Sequence, residues 1–562
     1  MNNRLASGGR IDRTRPLSFT FNGIRFTGFQ GDTLASALLA NGVILTARSF
    51  KYHRPRGIVS AGVEEPSSLV ELLGEDASGN TAITTVHLCE GLAAKSVNCW
   101  PSPEFDFGAL TQLISPFIPA GFYYKTFKWP SWKMFEPSIR RAAGLANAPA
   151  SAPSTGHFES RNAHADLLIA GAGPAGLAAA LVAGRSGARV ILADEASEAG
   201  GSILNRTLEI NGKPALDWVA SAVAELADMP NVVHHQNSTV WAYREHNLLC
   251  INERAPDHAT VLERNWRVRA KKVIIATGAI ERALVFANND RPGAMLASAI
   301  QSYINRYAVL PGKSVVLFTN NDSAYEVAAD IIAAGGQVKA IVDSRNSVPQ
   351  FALDQALSIE VITGSVISDV AGRSRVKSVT VTPRNGKAMR LIACDLLGYS
   401  GGWNPTVHLF SQSRGALKFD DEIAAFVPDQ AAQACVCAGA SNGNMTLSDA
   451  LSEGAAQAAK ATKAVGFKPA ALEDLMTGQA PYTVAPLWRV EGPATGKAFL
   501  DFQNDVTVSD VQLALREGYS NVEHVKRYTT GGMGIDQGKT GNINIIGTVA
   551  MEQNVPLGDL GT

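Results

Sequence analysis

The sequence is poor in the features that mark several protein classes. It has six cysteines in 562 residues: Cys89, Cys99, Cys250, Cys394, Cys435 and Cys437. No C-x-x-C pair occurs, so neither a dithiol redox centre nor a zinc clip is expected, and the scatter fits a reducing compartment. Cys435 and Cys437 flank Val436 in an apolar run and read as buried core thiols. There is no apolar run of about 18 residues, so no membrane-spanning helix is expected. Net charge is −1, which gives no electrostatic attraction to nucleic acid or to an anionic membrane. The N-terminal MNNRLASGGRIDRTRPL is basic but has no apolar h-region, so a cytoplasmic location is expected rather than secretion. What is abundant is core-forming material. Hydrophobic residues make up 46% of the chain and charged residues 18%, and the length allows about three or four domains.

One stretch organises the chain. Residues 165–204 read ADLLIAGAGPAGLAAALVAGRSGARVILADEASEAGGSIL. A strand is predicted over 167–170, then Gly171, Gly173 and Gly176 in G-x-G-x-x-G spacing, an Ala-rich helix, a break at Gly187 and a second strand over 190–193. Gly171 allows the tight turn, Gly173 lets backbone approach a pyrophosphate, and Gly176 allows close helix–strand packing. The phosphate charge would sit on the helix N-terminus. Asp194 and Glu195 end the second strand, where an acid binds ribose hydroxyls and repels a 2′-phosphate.

Before this stretch, 16–29 alternates apolar and polar residues around Asn22-Gly23, a hairpin signal. Asp32 or Thr33 can cap a helix through Leu34, Leu38 and Leu39. Hairpin, helix and Gly-rich loop follow the order of a plant-type ferredoxin, but the loop 56–68 has no cysteine, so the fold is expected without its cluster. Lys51, His53, Arg54 and Arg56 form a basic knot there, read either as solvated charge or as a contact for a phosphate or an acidic partner. Residues 96–160 carry many aromatics among prolines, too irregular for a helix stripe. They are read as a segment wrapping over another surface, with a helix near 137–144 and the linker SAPSTG at 151–156.

Beyond it, Val240 is the candidate for the adenine edge, and the strand of 271–278 ends at Thr277 and Gly278, returning the chain to the pyrophosphate. A second strand–helix–strand unit over 314–343 has Asn320, Asn321 and Asp322 in its turn and none of the three glycines, so no second dinucleotide is expected there. The run 434–440 is a buried strand ending in Gly439-Ala440. Flavin-binding members of the superfold carry Gly-Asp there, the Asp holding the ribityl chain. Ala440 has no carboxylate, which favours a plain adenine dinucleotide. Met445 and Leu447 open a helix and pack either on the nicotinamide side or in the core. Near the C-terminus, Thr507 caps one predicted helix, a second passes Val522 and Val525, and Gly531, Gly532 and Gly534 follow. The pattern resembles bacterioferritin-associated iron–sulfur domains, with Asp501, Gln503 and Asp536 where those have cysteine, so again no metal is expected.

The strings GDTLASALLANGV (31–43), RSFKYHRPRGI (48–58), FYYKTF (122–127), GAGPAGLAAAL (171–181), SGGWNPTVHLFSQS (400–413) and KRYTTGGMGIDQGKTGN (526–542) closely resemble the α subunits of bacterial heterotetrameric sarcosine oxidase. The fold class implied is α/β. A two-dinucleotide-binding (FAD/NAD(P)-type Rossmann) core carries an N-terminal clusterless ferredoxin-like (β-grasp) domain. A small C-terminal helical domain resembles a bacterioferritin-associated [2Fe-2S] module without its cluster. The expected division is 1–95 ferredoxin-like, 96–160 wrapping segment and linker, 161–300 with 396–465 NAD-binding, 301–395 an inserted degenerate Rossmann-like domain, and 466–562 helical at the flavin interface.

The resemblance also implies NAD⁺ on this chain. The family's contact pattern falls on Ala175, Asp194, Glu195, Ser202, Val240, Ala440, Met445 and Leu447, with Gly201 beside Ser202. It implies FAD on a β subunit and FMN shared between α and β, with γ and δ subunits completing the assembly. Sarcosine is oxidised at FAD, electrons pass to FMN, and O₂ gives hydrogen peroxide. Lys526, Arg527, Thr530 and Lys539 are candidates for the FMN phosphate, or for docking β. In the family a folate domain resembling an aminomethyltransferase would start where this sequence stops, at Thr562, so tetrahydrofolate residues are not assigned. No catalytic acid, base or nucleophile is assigned. Alternatives are the α subunit of a related amine, opine or proline dehydrogenase, a freestanding NAD(P)H-dependent flavin reductase, and a non-enzymatic NAD-binding module.

Overall fold

The computed structural model describes residues 2–74, 77–113, 115–142, 157–254, 261–386, 388–478, 481–492 and 496–561. The linker expected at 151–156 and the end of the helix expected at 137–144 lie outside them. The chain forms two compact units: 1–154 with 281–402 and 484–562, and 155–280 with 403–483. Among the described residues the chain crosses between them at 280/281, 402/403 and 483/484.

In the first unit the predicted hairpin is formed by Asp12–Phe21 and Ile24–Gln30, with Phe21 opposite Ile24. Asn22 and Gly23 both take positive φ, 51° and 79°, the geometry a two-residue hairpin turn needs. The strands belong to a five-stranded sheet with Ala93–Ser96, Leu69–Leu73 and Ser78–Ala82. The helix Leu34–Ala40 begins in a capping box between Thr33 and Ser36, and all of its residues are buried. A parallel sheet contains Ala294–Leu296, Leu396–Ser400, Ser314–Thr319, Gln337–Asp343 and Val361–Ile362, with the helix Ser323–Ala333 crossing over. Three C-terminal helices, Val508–Arg516, Val522–Thr529 and Asn542–Gln553, complete the unit. Its core is continuous: Leu38, Val70, Phe286, Leu317 and Phe499 belong to one buried cluster.

The basic knot is not solvated. Arg54 bonds both oxygens of Asp290 at 2.6 Å, Arg56 pairs with Asp290 and Asp505, Lys51 lies 3.6 Å from Asp510 and His53 2.8 Å from Asp106. This corrects both earlier alternatives: the acidic partners are this chain's own residues. In the aromatic segment Trp132–Ala142 covers the start of the expected helix and begins five residues before it, with Pro137 inside, whereas the helix Phe122–Thr126 was not expected.

The second unit is built on one sheet in the order Val232–His235, Val190–Ala193, His157–Ala170, Val261–Ile275, Leu248–Arg254, Ser238–Arg244, with Cys435–Cys437 pairing beside Val261–Ile275. The central strands are apolar on both faces because each face is covered. One cluster contains Leu167, Ile169 and Leu192 with the helices Pro174–Arg185 and Leu447–Ala464. The other contains Leu168, Ile275, Cys435 and Cys437. The two cysteines are thus core thiols, and burial pushes Cys437 well above the usual thiol range.

Candidate nucleotide site

The glycine turn is shaped by two close approaches. At Gly171, φ is 106° and a Cβ would lie 2.3 Å from the Ala276 carbonyl oxygen. At Gly176 a Cβ would lie 1.8 Å from the Gly171 oxygen, so the first turn of the helix sits directly on the loop. Gly173 is different: its Cβ would meet only the Cα of Gly201, at 3.8 Å. The space beside Gly173 is open, as a group approaching the backbone requires.

Around this opening the structure gathers most of the predicted residues. Gly201 comes against Gly173, and a Cβ on Gly201 would lie 2.8 Å from the Gly173 Cα. Ser202 next to it is exposed at the rim. Gly439 lies against Ala175, its hypothetical Cβ 2.8 Å from the Ala175 methyl, which brings Ala440 to the same place. Thr277 donates to the Thr406 carbonyl at 2.8 Å, and Gly278 accepts from the Thr406 N–H at 2.9 Å. Asp194 accepts from the N–H of Ala172 at 2.6 Å and of Ala196 at 2.8 Å, so its carboxylate holds the glycine turn to the end of the second strand. Glu195 beside it is exposed. Val240 follows Ser238, whose N–H donates to the Asp194 carbonyl at 2.7 Å. Leu447 is buried in the core, whereas Met445 borders an open cleft of about 410 Å³ with Asn444, Thr446 and Tyr482.

One residue escaped the sequence reading. No carboxylate was expected at the Gly439-Ala440 turn, yet Glu453 reaches it from the helix Leu447–Ala464. Its Oε2 accepts from the Gly439 N–H at 2.7 Å and from Asn444 Nδ2 at 2.7 Å, and its Oε1 accepts from Asn442 Nδ2 at 2.6 Å. The separation of 14 positions from Gly439 to Glu453 hides this link from any motif.

The other candidates lie in the first unit. Lys526 pairs with Glu523 at 3.0 Å, Lys539 Nζ donates to the Asp536 carbonyl at 3.2 Å, and Arg527 is exposed. Thr530 ends the helix Val522–Thr529 with φ 64° and donates to the Thr529 carbonyl. The sequence placed these four in one Gly-rich turn; the structure puts Lys526 and Arg527 in the last turn of the helix Val522–Thr529, Thr530 at its C-cap and only Lys539 in the turns beyond it. It shows no contact that singles out a phosphate position among them.

In the second strand–helix–strand unit, the turn is filled by its own side chains. Fully buried Asn321 donates to the Ser400 Oγ at 2.9 Å. Asp343, at the ribose-binding place, is bonded by Arg345, which also reaches Asp322 at 2.7 Å.

Neither iron–sulfur-like module fits a cluster. In the N-terminal loop the buried Glu65 accepts from the N–H groups of Val59, Ser60, Ser67 and Ser68 at 2.7 to 2.9 Å. Burial pushes its carboxyl up to about 7 against those four donors. In the C-terminal module Asp501 accepts from Gly532 N–H at 2.8 Å and Gln503 from Ile535 N–H at 2.7 Å. Burial, then the neighbouring Asp536, pushes Asp501 up to about 6. Oxygen acceptors thus occupy loop donors in both places, and a soft iron–sulfur core needs thiolates. Among the described residues no three His, Cys, Asp or Glu side chains are placed to hold a metal ion.

Comparison with known proteins agrees with this architecture. Residues 14–99 match the family described as 2Fe-2S iron-sulfur cluster binding domain, 165–435 match Pyridine nucleotide-disulphide oxidoreductase, and 495–562 match Sarcosine oxidase A3 domain. Sarcosine oxidase subunit alpha of Rhizobium meliloti (strain 1021) is 46% identical over 100% of this chain and 57% of its own length. By homology along its whole length, the chain belongs to the family of sarcosine oxidase α subunits. The subunit alpha of Corynebacterium sp. (strain P-1) is 38% identical over 96% of this chain and 54% of its own length. The chain thus spans about half the length of the curated relatives it matches. L-proline dehydrogenase from P. horikoshii shares the fold, with a TM-score of 0.66 and 18% identity over 100% of this chain and 96% of that one. No helix among the described residues is long and apolar enough to cross a membrane.

Proposed function

We propose that this chain acts as the nucleotide-holding α subunit of a sarcosine-oxidising complex. In the balanced reaction, sarcosine, O₂ and water give glycine, formaldehyde and hydrogen peroxide. The amine is oxidised at FAD on a β subunit, and FMN is shared between the two subunits. NAD⁺ lies in the second unit, with its pyrophosphate beside Gly173 and Gly201 and its ribose toward Asp194 and Glu195. Ala440 and Met445 line its far half. Lys526, Arg527, Thr530 and Lys539 face the FMN phosphate from the first unit. Tetrahydrofolate would take the one-carbon unit where a folate domain is present, and the complex is cytoplasmic.

The observation that carries the reading is the 46% identity over the whole chain, joined to an opening at Gly173 that a Cβ would enter without a clash. Ala440 supports NAD⁺ over FAD in this cradle, because it offers no carboxylate to ribityl hydroxyls. Partner subunits are supported by apolar surface: Trp100, Phe105, Leu113, Phe117 and Trp129 are each more than two-thirds exposed. Solvent-facing apolar patches of this kind mark protein interfaces.

The test is to release the nucleotide from the purified chain by heat and identify it by mass, then to assay peroxide from the chain co-expressed with a flavin-bearing partner. NAD⁺ with sarcosine-dependent peroxide is expected. FAD from the isolated chain, or activity on proline or opines but not sarcosine, overturns it in favour of a reductase or a related dehydrogenase.

A further inference from the structure

Across the cradle from the glycine turn lies a second turn, 439–444, closed within itself by only two bonds, from the Gly443 N–H to the Ala440 carbonyl at 3.1 Å and from the Asn444 N–H to the Gly439 carbonyl at 3.2 Å, and anchored to the sheet by the Ser441 hydroxyl on the Ile275 carbonyl at 2.9 Å. Two of its residues, Gly439 and Gly443, have positive φ, 72° and 93°, and it follows a strand of three residues. We infer that Glu453 is a positioning residue for the bound dinucleotide, clamping this turn from the helix Leu447–Ala464. The inference rests on the nucleotide reading above.

The clamp is rigid at its base. Gly454, the next residue, packs so closely that a Cβ there would lie 2.2 Å from the Ala175 carbonyl oxygen. Backbone-to-backbone contact with the helix Pro174–Arg185 therefore fixes where residue 453 stands. From there its two oxygens take one backbone N–H and two side-chain amides, all from the turn. Charge-assisted hydrogen bonds of this kind are short and strong. Gly439 is held against Ala175, and Asn444 leads directly into Met445 at the open cleft. The carboxylate is also spent on these donors. It does not replace the acid that a flavin site places one residue after the glycine. Glu453 thus shapes the wall of the cradle without offering a ribityl hydroxyl its partner.

The experiment compares Glu453→Ala and Glu453→Gln with Ser452→Ala, an exposed neighbour on the same helix, in the full chain. Each is stripped of nucleotide and titrated with NAD⁺ by calorimetry, and its thermal midpoint is recorded with and without NAD⁺. Glu453→Ala should weaken NAD⁺ by roughly tenfold or more. Glu453→Gln should stay within about threefold of the parent, because its remaining oxygen can keep the Gly439 N–H and the Asn444 amide while the Asn442 amide turns over and presents oxygen to its Nε2. Ser452→Ala should bind as the parent does. Unchanged binding in Glu453→Ala, or equal loss in Glu453→Gln and Glu453→Ala, overturns the inference. If Glu453→Ala does not fold, Asn444→Ala serves instead: weakened NAD⁺ supports the clamp and unchanged affinity overturns it. If the parent chain holds FAD and not NAD⁺, the nucleotide reading fails, but the ranking of FAD retention across the same variants still tests Glu453.

Discussion

Arg56 and Asp505 stand 449 positions apart in the sequence and form an ion pair in which neither side chain is more than 1% exposed. Asp505 also accepts the N–H groups of Lys51 and Tyr52 at 2.8 and 3.0 Å, and Arg56 lies over the ring of Phe499. The C-terminal module is thereby tied to the ferredoxin-like loop. Asp505→Ala leaves the buried Arg56 guanidinium with Asp290 as its remaining carboxylate and two backbone donors without their acceptor. It should cost about 3–5 kcal/mol, read as a lower denaturation midpoint in urea. The exposed pair Arg390–Glu360, broken by Glu360→Ala, should cost less than about 1 kcal/mol.

Gly173 and Gly176 should separate binding from folding. Gly176→Ala drives a methyl into the Gly171 carbonyl and should lower the thermal midpoint of the nucleotide-free chain or prevent folding. Gly173→Ala meets nothing closer than 3.8 Å, and its φ of −74° suits alanine. Its nucleotide-free stability should be unchanged within about 0.5 kcal/mol, while calorimetry shows NAD⁺ binding weakened by roughly tenfold or more.

Glu281 gives the first unit a pH dependence. Its Oε2 accepts from the Ser298 N–H at 2.8 Å, and burial pushes its carboxyl from 4.5 up to about 7. Between those values the folded chain keeps a proton that the unfolded chain has lost. Stability from this group therefore falls as pH rises from about 4.5 to about 7 and is level above that. Glu281→Gln, which mimics the protonated form, should melt like the parent at pH 5. At pH 8 it should be more stable, by up to about 3 kcal/mol.

Glu65→Ala should expose the cost of emptying the ferredoxin-like loop. The N–H groups of Val59, Ser60, Ser67 and Ser68 lose their common acceptor, for a loss of about 3–5 kcal/mol. Hydrogen exchange should speed up at those four amides before it does in the sheet.

Replacing Phe117 and Trp129 by Ser should leave the isolated chain as stable as the parent, since they are 79% and 84% exposed. The same double variant should lose co-purification with a flavin-bearing partner subunit, scored on affinity resin.

Local pattern was legible because its causes are local. Asn22-Gly23 specifies its own hairpin turn, Thr33 and Thr507 cap their own helices, and the spacing of Gly171, Gly173 and Gly176 follows from steric demands within one strand–turn–helix. Those features depend on backbone dihedrals and neighbours a few residues away, which any reading of the chain can see. Even the degenerate second turn was visible, since Asn321 cannot supply what glycine supplies.

The tertiary structure alone decided where charge goes and where the units divide. Nothing near residue 54 reveals that its acid is Asp290, or near residue 439 that its acceptor is Glu453. Leu447 and Met445 are equivalent in sequence terms, yet one is buried and the other borders a cleft. An ion pair or a clamp is a coincidence of two distant segments in space, and its energy exists only after desolvation by the fold around it. Sequence determined the kind of cradle, and packing determined which side chains face into it.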